Sequence, residues 1–235
     1  MTSKPFDETT GLSQALPNTF VLELTYSCNN RCRHCYNAWR APELNYAENI
    51  QEEMSTAEIK QTILRLREDI SVSTVALSGG EPTLRSDMIE IIEFIRAQGL
   101  TAQIITNGVN LTEPFVEATI RNSSYQVSLL SWQRDVHDRI AGRDGAWDAV
   151  VDGMTNVHLA GGHLIVVFVA TRQNYCDLGP TVHMAMVLGA NSFLYNRINA
   201  GAANISYSEE LFLTLAMVEE NLEVLERSLS KTDFP

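Results

Sequence analysis

Two apolar periodicities take turns along the chain. FVLELT (Phe20–Thr25) alternates and is β-rich, which predicts a first strand. Ser55 followed three residues later by Glu58 is a capping box, and Ile59, Ile63, Leu64 and Leu66 after it give one helical face. STVALSGG predicts a second strand that its two glycines end. Ser86–Gln98 predicts a helix with Met88, Ile89, Ile92 and Ile95 inward and Gly99 at its C-terminal cap. The alternation continues with strand TAQIIT, a helix from Thr112, strand YQVSLL and a helix over Trp147–Leu159. Strand HLIVVFVA, a helix over Asp177–Leu188, strand SFLYNRI and a long amphipathic helix over Ser208–Ser230 complete the chain. Six β–α units in succession predict an α/β fold with a parallel sheet, either an incomplete barrel or an open doubly wound sheet. In both, ligands belong at the carboxyl ends of the strands.

The chain has 235 residues and a formal net charge of −12, with lysine only at Lys4, Lys60 and Lys231. Residues 1–18 read as a polar lead-in and residues 19–235 as one domain. An acidic chain without a basic tract is a poor match to a phosphate backbone, which excludes nucleic acid as a partner. No window resembles a membrane span or an export signal, so a cytoplasmic setting is expected.

Three of the four cysteines fall in Cys28-Asn29-Asn30-Arg31-Cys32-Arg33-His34-Cys35, directly after the first strand. Three thiolates on a short loop can hold one inorganic cluster. A four-iron cubane normally takes four cysteines, so three leave an iron open. The spacing also permits a structural zinc of Cys3His type with His34 as fourth ligand. The fourth cysteine, Cys176, reads as a buried or loop thiol. His137, His158, His163 and His183 have no ligand spacing. The stretch Asn37–Met54, with Trp39 and Tyr46, reads as a connecting loop, and Trp132 and Trp147 as core aromatics.

The C-x3-C-x2-C loop after a strand ending in Glu-Leu-Thr resembles the radical S-adenosylmethionine (radical SAM) superfamily. Ser78-Gly79-Gly80-Glu81-Pro82-Thr83-Leu84 is similar to that family's second-strand motif, and Thr106-Asn107-Gly108 to its third. Ser128-Leu129 with His137-Asp138-Arg139 and Gly142 resembles the fourth-strand region, and Arg197 through Ala202 the sixth. The resemblance covers about residues 18–205 and implies a partial (β/α)6 TIM-type barrel.

It implies further that Cys28, Cys32 and Cys35 hold a [4Fe-4S] cluster whose open iron binds S-adenosylmethionine. One electron then cleaves the sulfonium to methionine and a 5′-deoxyadenosyl radical, which abstracts a substrate hydrogen. Gly79 and Gly80 would let backbone approach the methionyl group, with Glu81 and the adjoining carbonyls, beside Pro82, accepting from its ammonium. Thr106 and Asn107 would meet the ribose, Ser128 the carboxylate, and Arg139 or Arg143 would neutralise it. Tyr36 would lie against adenine, His34 stands where the family often has an aromatic residue, and Asn174 would add a polar contact.

The segment after the cysteines and SLLSWQRDVHDRIAGRDGAW resemble peptide- and protein-modifying members, so the expected substrate is a ribosomally made peptide or protein. The expected electron donor is a flavodoxin or ferredoxin. An open barrel edge suits a peptide, a partner subunit or a second copy. The rival readings are an enzyme of a small metabolite, a glycyl-radical activase, and a non-catalytic iron–sulfur or zinc-binding subunit.

Overall fold

A computed structural model describes residues 18–37, 52–69, 72–201 and 204–229. The expected lead-in over residues 1–17, most of the Asn37–Met54 stretch with Trp39 and Tyr46, and Ala202 lie outside the described residues. Strands β1 (Thr19–Glu23), β2 (Thr74–Ser78), β3 (Thr101–Thr106), β4 (Ser123–Ser128), β5 (His163–Ala170) and β6 (Ser192–Arg197) form one sheet. Their order is β1-β2-β3-β4-β5-β6 and every neighbouring pair is parallel. This is the expected six-unit sheet, open between β1 and β6.

Helices α1 (Thr56–Asp69), α2 (Met88–Ala97), α3 (Glu113–Thr119), α4 (Arg134–Ala141), α5 (Ala146–Leu159), α6 (Leu178–Val187), α7 (Ser208–Leu211) and α8 (Leu215–Leu229) connect the strands or follow them. The capping box forms: Ser55 N–H and Oγ both donate to Glu58 Oε2, at 2.8 and 2.7 Å. The core lies between the sheet and the helices. Ile59, Ile63, Ile91, Ile95, Val150 and Met154 from the helices share one buried cluster with Val75, Leu77, Ile104, Tyr125, Val127 and Leu164 from the sheet. No helix among the described residues is long and apolar enough to cross a membrane.

Five expectations change. On α2 the buried set is Met88, Ile91, Ile92 and Ile95. Ile89 is 38% exposed, because the core stripe runs i, i+3, i+4, i+7 from Met88, which takes in Ile91 and leaves Ile89, at i+1, off the face. Leu64 on α1 is likewise exposed. Helix α4 was not expected. It is short and mostly polar, but it buries Val136, His137, Ile140 and Ala141. The final helix is broken between Leu211 and Leu215. There the carbonyls of Leu211 and Phe212 accept from Arg172 N–H and Nε, and Thr214 starts a new helix by accepting from Met217 N–H and Val218 N–H. Trp132 is 45% exposed rather than in the core, since its stretch caps the sheet's carboxyl end.

Candidate functional site

The loops after the strands converge, as a parallel sheet requires. They enclose a cavity of about 230 Å³ at its carboxyl end. Cys28, Cys32 and Cys35 line it together with His34, Tyr36, Ser78, Gly79, Gly80, Thr106, Asn107 and Ser128. Cys176 is exposed and lies elsewhere.

The Cys loop is clamped from several elements. At its start Gly80 N–H donates to Thr25 C=O at 2.7 Å and Glu81 N–H to Ser27 C=O at 2.8 Å. A Cβ on Gly79 would stand 2.6 Å from Thr25 O, and one on Gly80 2.2 Å from Ser27 O. The glycine pair therefore serves first to seat the loop: its missing Cβ atoms face Thr25–Ser27. In the middle, Arg31 N–H donates to Ala141 C=O at 2.8 Å, and Asn107 Nδ2 donates to Asn29 Oδ1 at 2.6 Å. At the far end, Asn204 Nδ2 donates to His34 C=O at 3.1 Å and Asn37 Nδ2 to Gly79 C=O at 3.0 Å.

Glu81 is fully buried, and its carboxylate faces protein. Oε1 accepts from Thr83 N–H, Thr83 Oγ1 and Thr106 Oγ1, and Oε2 from Asn107 N–H, at 2.6–3.1 Å. Burial pushes its pKa up from the ordinary carboxylate value, while these hydrogen bonds pull it down. Glu81 thus ties the second-strand motif to the third, and it is fully buried and does not line the cavity where a ligand ammonium would sit. Pro82, also buried, opens a single 3-10 turn behind it. The Thr106 hydroxyl is spent on Glu81 and on Gly108 N–H. Asn107 is engaged too, its Nδ2 donating to Asn29 Oδ1 and its Oδ1 accepting from Val109 N–H, and both residues line the cavity.

Asn174 also departs from expectation. Its Oδ1 accepts from Thr171 N–H and Oγ1, and its Nδ2 donates to the carbonyls of Leu130 and Val169. It splices the ends of β4 and β5 and lies off the cavity wall. Neither expected arginine lines the cavity: Arg139 borders a different hollow, and Arg143 donates to Asn29 C=O at 3.3 Å. Arg197, at the end of β6, does line it, with Asn196 and Asn199. The order of strands places it there, directly across the sheet opening from the Cys loop.

The residues fit a cluster with a polar ligand beside it. Among the described residues no group of His, Cys, Asp and Glu gathers tightly enough to hold a single ion. A Cys3His zinc needs four ligands about 2.0–2.3 Å from one point, whereas a cubane takes each thiolate at a different iron. Two buried polar atoms beside the thiols lack a partner among the described residues, His34 Nδ1 and Asn37 Oδ1. Burial also lowers the His34 imidazole pKa to about 4, so its ring is neutral at pH 7. Tyr36 hydrogen-bonds Ser78, and burial first, then the nearby Glu23 charge, raises its pKa. Sequence reasoning missed Asn37 and did not single out Arg197 for the site. Asn37 stands two residues past the third cysteine with no motif of its own.

A sequence profile of the Radical SAM superfamily matches residues 22–185. The mycofactocin maturase MftC of Mycolicibacterium smegmatis is 34% identical over 178 residues, which is 74% of this chain and 43% of that protein. Fe-coproporphyrin III synthase of Methanosarcina barkeri is 31% identical over 159 residues, 67% of this chain and 38% of that protein. The chain thus spans less than half the length of these relatives. Among solved structures, Streptococcus suis SuiB bound to S-adenosylmethionine superposes with a TM-score of 0.74 at 18% identity, covering 93% of this chain and 49% of SuiB.

Proposed function

Because the chain belongs to the Radical SAM superfamily, we propose that its cavity is the active site of an enzyme that modifies a ribosomally made peptide or protein. The observation that carries this reading is the convergence of Cys28, Cys32 and Cys35 on the one cavity that the second-, third- and fourth-strand motifs also line. When bound there, a [4Fe-4S] cluster and S-adenosylmethionine supply one-electron cleavage of the sulfonium and a 5′-deoxyadenosyl radical able to abstract hydrogen from carbon.

The chain's own residues hold and orient these groups. Cys28, Cys32 and Cys35 are the cluster ligands. Asn37 Oδ1, a buried acceptor without a partner among the described residues, suits an ammonium or amino group. Ser128, at the end of β4, offers a hydroxyl, and Arg197 a guanidinium for the methionyl carboxylate. Asn107 and Tyr36 lie where ribose and adenine would rest. Glu81, Asn174 and Asn204 position the loops and touch none of the reacting atoms. Ile105 and Val169 give the cavity an apolar wall that helps exclude water. The setting is a reducing cytoplasm.

A peptide substrate is supported by the relative named a maturase and by the fold's likeness to SuiB, whose structure is also known with its precursor peptide SuiA. The sheet is open between β1 and β6, which leaves room for an extended chain. The second reading is a small-molecule substrate, favoured by the relative named Fe-coproporphyrin III synthase. Anaerobic incubation of loaded protein with S-adenosylmethionine and, in parallel, a candidate precursor peptide from its coding neighbourhood or a porphyrin tests both, read by mass spectrometry with peptide hydrolysis for isomeric change. A modified residue with one 5′-deoxyadenosine per event is expected. An unaltered peptide beside substrate-dependent cleavage with a porphyrin would favour the second reading.

A further inference from the structure

Between the second and third cysteines stand Arg33 and His34. Cys35 N–H donates to Cys32 C=O at 3.3 Å, so the chain turns tightly there and keeps the imidazole on the short span between two thiols. The His34 backbone is held in place. Asn204, itself fully buried, accepts from Gly201 N–H on Oδ1 at 3.0 Å and donates from Nδ2 to His34 C=O at 3.1 Å. His34 lines the cavity together with Cys28, Cys32 and Cys35. The residue as a whole is half-buried, but its Nδ1 is buried and has no hydrogen-bond partner among the described residues. Buried polar atoms are nearly always paired, and one left unpaired costs stability. An orphan on this loop therefore points to a partner that the described polypeptide does not supply.

The chemistry of the loop sets the direction of the missing bond. Cluster thiolates and sulfides are negatively charged and can only accept. An imidazole carries at least one N–H in either charge state. With the proton on Nδ1, a bond to sulfur is charge-assisted; with Nδ1 bare, its lone pair would face negative charge. The loop already makes one bond of this kind, since Asn30 N–H donates to Cys28 Sγ at 3.5 Å. We propose that His34 tunes the cluster: its Nδ1–H donates to a cluster sulfur, thiolate or sulfide, and so raises the reduction potential. The proposal rests on reading the central cavity as a cluster site. An added electron makes the sulfurs more negative, so a donor stabilises the reduced state more than the oxidised one. His34 keeps its proton in both states.

The test is a redox titration of anaerobically reconstituted protein, without and with S-adenosylmethionine, followed by electron paramagnetic resonance of the reduced cluster. His34→Phe keeps a flat ring and removes the donor. His34→Asn keeps an N–H as far from the backbone as Nδ1. The reduction equilibrium should fall about fivefold or more in His34→Phe, and His34→Asn should recover at least half of that loss on a logarithmic scale, with or without the nucleotide. Wild-type protein labelled with 15N-histidine gives a readout that needs no variant to fold: pulsed resonance of its reduced cluster should show coupling to an imidazole nitrogen and to an exchangeable proton. Equal potentials in wild type and His34→Phe, an equal drop in both variants, or a reduced cluster without that coupling overturns the proposal. A shift confined to the nucleotide-bound protein also overturns it and assigns Nδ1 to the nucleotide. Wild-type protein that takes up no iron and sulfide overturns instead the cluster reading on which the proposal stands.

Discussion

Glu81 carries a heavy hydrogen-bonding load beside the cavity, and its loss should be costly. Glu81→Ala leaves the N–H groups of Thr83 and Asn107 and two threonine hydroxyls without their acceptor in a buried place. We expect a loss of about 3 kcal/mol in urea unfolding. Glu81→Gln should recover only part of it, since its amide would face Asn107 N–H. The buried His137 gives a prediction about pH. Burial, first among its causes, lowers its pKa to about 4, and its Nδ1 already accepts from Leu130 N–H. Its stabilising contribution is complete above the unfolded value of about 6.5 and is lost as pH falls from there to about 4, on the order of 3 kcal/mol. His137→Asn keeps an acceptor for Leu130 but does not titrate. Wild type should therefore lose more stability than this variant between pH 6.5 and 4, and parallel pH profiles would contradict the assignment. At this scale the cysteines were legible because spacing alone places thiols on one loop. The duties of Glu81 and Thr106 were not, because a carboxylate aimed at a ligand and one aimed at backbone N–H look the same in sequence.

At the scale of elements, strands and their order were the most legible part. TAQIIT and HLIVVFVA form β3 and β5 with the expected bounds, because runs this rich in β-branched residues leave little choice. Helix α4 was hidden, since half of its buried face is His137 and Ala141, which carry a weak periodic signal. The break before α8 was hidden too. It depends on Arg172, some forty residues away, capturing two carbonyls. Asn174 shows how an element junction can pass for a ligand contact. Because it splices β4 to β5, Asn174→Ala should lower the melting temperature, with an expected loss of about 2–4 kcal/mol. The affinity for S-adenosylmethionine, measured on loaded protein, should change less than threefold. A large rise in Kd without loss of stability would return Asn174 to the binding site.

For the molecule as a whole, six parallel strands bring motifs spread over some 170 residues of sequence to one end of the sheet. Their shared task is to seat the Cys loop: Gly79 and Gly80 hold its start, Ala141 and Asn107 its middle, and Asn37 and Asn204 its end. That convergence is why the alternation of elements, together with the spacing of the cysteines, was enough to locate the cavity. It was not enough to bring out Arg197, since the motifs offered only Arg139 or Arg143, and neither of those lines the cavity whereas Arg197 does. The account stands on the cavity binding a cluster through three cysteines, and its most direct test is anaerobic iron and sulfide reconstitution of wild type and Cys32→Ala. Each is then reduced with dithionite in the presence of S-adenosylmethionine. Wild type should hold about four irons and four acid-labile sulfides per chain and release 5′-deoxyadenosine, whereas Cys32→Ala should release at least a hundredfold less. A wild-type protein devoid of labile sulfide, or a Cys32→Ala variant that cleaves at the wild-type rate, would contradict it.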